Sequence, residues 1–282
     1  MLLQNWNRVL IVLSSIILIF LASFTDFDKR GELLINESMQ EAAVVFGVVK
    51  GLNAVISLAQ GTEVGFVGLT ISIGEILDPI NDLVERFSLV MLASIVSLGI
   101  QKILMNVVVS NGFNVLLLLS IILVNIWLFV RFKNDAKVRG LFYKTTVVLI
   151  FLRFSISLLS YASYSIYVHY IQQDYNIEKS REEIVKSSEE IDNITKERID
   201  NEKSEQNTLL EYPLKLFKSI KEKVSSEYYE KEINKYKEAS EKAGEQIVSL
   251  MIAFIFKTIF FPLLFLFILY RVIWNIFIWR DI

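Results

Sequence analysis

Residues 131–144 read RFKNDAKVRGLFYK and stand between two apolar runs, FNVLLLLSIILVNIWLFV (113–130) and TTVVLIFLRFSISLLSYASYSIYVHYI (145–171). Five of the fourteen are cationic, Arg131, Lys133, Lys137, Arg139 and Lys144, and only Asp135 is acidic. Short loops retained on the cytoplasmic side of a membrane have this composition, so the stretch reads as a connection between two transmembrane helices. Every other segment takes its side of the membrane from it.

The chain of 282 residues is 53% hydrophobic and 21% charged, totals that would suit a large soluble domain. The apolar residues are bunched into long runs, however, and bunching makes this an integral membrane protein. There is no cysteine, hence no disulfide framework, thiolate site or cysteine nucleophile. The single histidine, His169, lies in an apolar run, which makes a transition-metal site improbable and leaves a serine triad dependent on that one base. No glycine-rich phosphate cradle, Walker-type lysine or zinc spacing is present. The expectation is a non-enzyme without cofactor or metal.

From the N-terminus, residues 9–24 are uncharged, with Arg8 before them and Asp26, Asp28, Lys29 and Arg30 after. They read as a signal anchor, segment 1–24, because Leu21-Ala22-Ser23-Phe24 is a poor cleavage site. Segment 25–112 reads as extracytoplasmic and membrane-associated. In it, residues 41–60 suggest a helix with a narrow polar stripe of Lys50, Asn53, Ser57 and Gln60. Residues 62–74 alternate as a short β element does. Asp78-Pro79 then reads as a helix start and Asn111-Gly112 as its stop. Residues 87–100 are apolar for only fourteen positions before Gln101 and Lys102, short for a span.

Segment 113–171 holds two spans and the basic loop, and the second span ends in tyrosines that read as interfacial anchors. Segment 172–246 is charged, helix-favouring and free of glycine until Gly244. Its Ile177, Ile184 and Ile191 recur every seven residues, and Tyr229, Ile233, Tyr236, Ser240, Ala243 and Ile247 recur at fours and threes, the seams of a coiled coil. A break at Asn207-Thr208, with Pro213 beyond it, folds the segment into an extracytoplasmic antiparallel hairpin standing roughly 50 Å from the bilayer. Segment 247–282 supplies the last span, 247–270, kinked at Pro262, and a cytoplasmic C-terminus.

The fold class is therefore an all-α integral membrane protein with about four transmembrane helices, or six if 41–60 and 87–109 cross as a pair. Both termini lie in the cytoplasm at the inner or plasma membrane. Charge sorts accordingly: 25–112 carries five bases and ten acids, and 172–246 carries fourteen bases and nineteen acids. That surplus of acids over bases also argues against nucleic acid as a partner.

Arg153 and Lys257 lie inside spans, where a charge costs on the order of 2.5–3.5 kcal/mol and needs a partner or water. No assigned span contains an acid, which leaves Glu63, Glu75, Asp78, Asp82 and Glu85 as candidate partners. In a homo-oligomer the two cations would instead ring a pore and favour anions. The apolar hairpin tip, with Leu209, Leu210, Tyr212 and Phe217, is a candidate surface for an extracytoplasmic protein partner.

In outline, four spans with two large outside segments and inside termini resemble connexin, innexin and calcium-homeostasis-modulator channels. Those families carry outside cysteines and this chain has none, so no residue carries over. The leading function is a homo-oligomeric pore or channel; a coiled-coil tether or scaffold is the alternative, and a transporter the third. Protease added to intact cells should cut near Asn207 and spare Lys137; cleavage at Lys137 alone would invert the topology.

Overall fold

The computed structural model describes residues 12–20, 25–61, 63–66, 69–129, 136–208 and 226–278. They are almost entirely helical: α1 (12–20), α2 (Thr25–Gln60), α3 (Ile73–Val109), α4 (Asn111–Phe129), α5 (Ala136–Ile166), α6 (Ile177–Thr208), α7 (Ser226–Phe254) and α8 (Phe261–Ile278). A π-helical turn, Tyr167–Ile171, extends α5, and a second, Ile255–Phe260, joins α7 to α8. Between α2 and α3, β1 (Glu63–Phe66) and β2 (Leu69–Ser72) pair antiparallel, with Glu63 opposite Ser72 and Phe66 opposite Leu69. The alternating stretch thus finds its strand partner within itself.

Among the described residues, four helical stretches are long and apolar enough to cross a membrane: Asp26–Gln60, Ile73–Val109, Gly140–Ile171 and Ile233–Asn275. The set differs from the spans read from sequence, the first of which, 9–24, lies only in part within the described residues. The first two stretches lie in segment 25–112, and α4, read as a clear span, contributes a shorter apolar stretch, Asn111–Trp127. Counting uncharged runs undervalues α2 and α3, whose few charges interrupt helices of 36 and 37 residues without ending them. The basic connection is also shorter than its composition suggests, because α5 begins at Ala136, inside it.

Pro79 does not open its helix. α3 begins at Ile73, and Pro79 lies within it. A proline this close to the start removes a single N–H to C=O bond, that to Glu75, so the helix runs through. The stop at Asn111 is real but tight. Ser110 separates α3 from α4, donating its hydroxyl to Val107 O at 2.7 Å and accepting the Phe113 N–H at 3.2 Å, as an N-cap does.

The chain divides into two compact units, residues 1–40, 95–168 and 256–282, and residues 41–94 and 169–255. In the second unit, burial repeats at alternating threes and fours: Ala42, Val45, Val49, Leu52, Ile56 and Ala59 on α2, and Ile73, Leu77, Ile80, Val84, Phe87, Met91 and Ser94 on α3. A repeat of 3.5 residues is the signature of helices meshing side by side. Lys50 and Ser57 of the polar stripe are exposed, opposite this seam.

Asn176 caps α6, its side-chain oxygen accepting the Lys179 N–H at 3.1 Å. α6 and α7 run antiparallel: Ser180 bonds Gln246 at 2.9 Å and Ser249 at 3.2 Å, while Thr195 meets Tyr236 at 3.1 Å. Thr195 spends its proton on Ile191 O at 2.7 Å, so the Tyr236 hydroxyl is the donor to Thr195. Ile177, Ile184 and Ile191 are fully buried, each burial contributing about 1.5–3 kcal/mol. Glu189 and Glu190 lie on the solvated side. The turn between α6 and α7, with Leu209, Leu210, Tyr212 and Phe217, lies outside the described residues.

Candidate functional site

The site lies in the first unit and starts from Asp28 on the first turn of α2, where the helix dipole favours an acid. Arg153 enters from α5. The two are 4% and 1% exposed and make a two-pronged pair, Nη2 to Oδ2 at 2.6 Å and Nη1 to Oδ1 at 3.0 Å. A planar guanidinium fork matches a carboxylate in this way, so the charges cancel at close range with directed bonds.

Neighbouring residues complete the shell. Arg153 Nε donates to Asn114 Oδ1 at 2.9 Å, and the Asn114 amide donates in turn to Val109 O at 3.2 Å. The Ser110 joint therefore has a second purpose, since it sets Asn114 on the first turn of α4, in reach of both. Ser157, one turn beyond Arg153, donates to Asp28 Oδ1 at 2.9 Å. Gly31 lets α2 come this close: a Cβ built there would lie 3.1 Å from the Ser157 Cα and 3.2 Å from the Met105 Cε.

Arg153 and Ser157 belong to a longer polar seam. Thr146, Arg153, Ser157, Ser160, Ser163 and Tyr167 are all buried, at spacings of seven, four, three, three and four along one face of α5 and its π-helical turn. Ile35, Met105, Val108 and Ile156 pack as an apolar cluster beside it.

Lys257 stands at the far end of the seam. It is 8% exposed, and its ammonium lies 4.8 Å from the centre of the Tyr167 ring, a cation–π contact. With Ser38, Gln101, Ser160, Ser163 and Tyr164 it forms the polar wall of a cavity of about 20 Å³. That is room for about one water molecule, and the buried Ser163 hydroxyl, which has no hydrogen-bond partner among the described residues, is a group such a water would bond.

Lys257 also sits beside a backbone defect that sequence explains. Pro262 has no N–H to offer the carbonyl four residues back, that of Thr258. The helix widens into the π-helical turn, and the Ser97 hydroxyl from α3 donates to Thr258 O at 2.5 Å.

Sequence reasoning named both buried cations and missed what they meet. The partner of Arg153 is Asp28, which is not among the acids proposed for it. Glu75, Asp78, Asp82 and Glu85 are exposed on α3, and the side chain of Glu63 lies outside the described residues. Arg153 is consequently held inside a single chain by its own carboxylate, a poor candidate for an open cationic ring. Asp28 was legible in one way only: Asp28, Gly31, Ile35, Ser38 and Ala42 share a three-four repeat that places the acid on the buried face.

The four membrane-length apolar helices among the described residues define the class, a multi-pass helical membrane protein. No family model matches the chain, nor does any curated protein or solved structure.

Two substitutions measure how tightly the site is built. Gly31→Val should lower thermal stability in detergent by roughly 1–3 kcal/mol, because α2 must back away from Ser157. Ser157→Ala, which removes one bond to a charged oxygen without crowding, should cost about 1.5–3 kcal/mol. Gly31→Val melting with the parent protein would mean that the approach of α2 to α5 is not close.

Proposed function

We propose that this protein lets a small ion or polar solute pass across the cell membrane along the buried seam of α5, as a pore or channel. The observation that carries the reading is the seam itself. Polar groups inside a membrane are expensive, and helices needed only as an anchor pack more cheaply with apolar faces. Here hydroxyls recur on successive turns between two buried basic side chains.

In this reading Arg153 is a fixed post. Bonded to Asp28 and Asn114, it holds α2 and α4 against α5, and any preference for anions falls to Lys257. The protein assembles as a homo-oligomer in the bilayer, with its termini in the cytoplasm and α6 and α7 on the opposite side as a coiled-coil hairpin. No catalytic chemistry enters the reading.

A carrier, the third reading from sequence, draws on a paired interruption: the π-helical turns begin at Tyr167 and Ile255, and their Tyr167 and Lys257 meet face to cation. Tethering through the tip residues Leu209, Leu210, Tyr212 and Phe217 draws only on the length and charge of α6 and α7.

Purified protein in liposomes should release small ions, and Ser160→Leu or Ser163→Leu should reduce the flux at least tenfold by filling the seam. A rate that saturates with solute would mark a carrier. Vesicles that stay tight to anions, cations and small dyes alike, with folded protein in them, would overturn the proposal and leave the tether standing.

A further inference from the structure

We infer that the exposed face of α2 over residues 26–40 is the surface on which a second copy of this chain docks, with Arg30 of each copy set against Glu32 of the next. The inference rests on the homo-oligomer of the reading above and stands whether or not the seam conducts.

The level of this face is fixed by the bonds on the other side of the same helix. Asp28 and Gly31 hold the inner side of α2 against Arg153 and Ser157, which stand at the middle of the membrane-length stretch Gly140–Ile171. Around this level the neighbouring helices of the first unit expose apolar side chains: Ile103 and Val107 on α3, Val115 and Leu116 on α4, Leu158 on α5. The outer side of α2 differs. Asp26, Lys29, Arg30, Glu32, Glu37 and Gln40 are all exposed on it, with Leu33 among them at 57%. Ionisable side chains at membrane depth turn toward protein or water and away from lipid. The apolar faces can meet lipid, so the face that calls for cover is that of α2.

Its charges are arranged so that a second copy can supply the cover. At about 100° per residue, Asp26, Arg30 and Glu37 fall to one side of Leu33, and Lys29, Glu32 and Gln40 fall to the other. Along the helix one side reads acid, base, acid, and the other reads base, acid, amide. Copies inserted alike in one bilayer have parallel α2 helices, and one side of each then meets the opposite side of the next. Asp26 faces Lys29 three residues along, Arg30 faces Glu32 two along, and Glu37 faces the Gln40 amide three along. Offsets of two to three residues are about 3–4.5 Å of rise, within the reach of these long side chains. Leu33 fills the centre. Three matched pairs at nearly one offset fix a register and disfavour a partner with any other charge pattern.

The full chain in mixed micelles, weighed by light scattering, should run as a particle of several copies. Arg30→Glu sets acid against acid across the joint, and Glu32→Arg sets base against base. Each should bring the particle down to a single chain with helical content as in the parent, since both side chains are exposed in the subunit. Arg30→Glu combined with Glu32→Arg in one chain returns opposite signs to the joint and should return the parent mass. Folded Arg30→Glu at the parent mass, or a double variant that stays single, would overturn the interface. A parent of one chain would overturn it too and take the homo-oligomer with it. A parent that assembles while its vesicles stay tight would overturn the pore and leave the interface standing.

Discussion

A guanidinium buried in a membrane-length helix has to be neutralised where it lies. A lone guanidinium charge at bilayer depth costs on the order of 2.5–3.5 kcal/mol. Asp28 supplies the opposite charge, and both prongs of the fork are used. Much of the first unit follows from bringing those two residues together. α2 must begin early enough to carry an acid at its head, Gly31 must leave room, and α4 must restart sharply at Ser110 so that Asn114 can take the remaining Nε–H.

Polarity inside the unit is organised in layers along α5. At one level Arg153 and Ser157 bind α2 through a full charge. Farther along, Ser160 returns its proton to its own helix, and Ser163 faces the small cavity. At the end, Tyr167 offers its ring to Lys257. The charged bonds of Arg153 hold α2 and α4 against α5.

The sequence revealed the membrane class and the two buried cations, because each rests on local signals: a long apolar run and a charge within it. It hid what depends on distant pairing. Asp28 lies among Asp26, Lys29 and Arg30 and passes for the solvated flank of a span, and only the repeat through Gly31 and Ile35 betrays it. Pro262 announces a disturbed helix, yet nothing near it says that Ser97, on another helix, takes the freed carbonyl. Pro79 misled in the opposite direction, since a proline so near a helix start costs too little to fix the boundary. The lengths of α2 and α3 were masked by isolated charges such as Lys50 and Lys102, each tolerable on a helix whose other face is buried.

The account turns on whether Asp28 and Arg153 are coupled, and a double-substitution cycle on unfolding in mixed micelles measures that directly. Asp28→Leu and Arg153→Met alone should each cost about 3–5 kcal/mol by stranding the other charge. Together they should cost far less than the sum, because no charge is left unpaired. Costs that simply add would show that the two side chains act independently and that this pair does not hold the unit together.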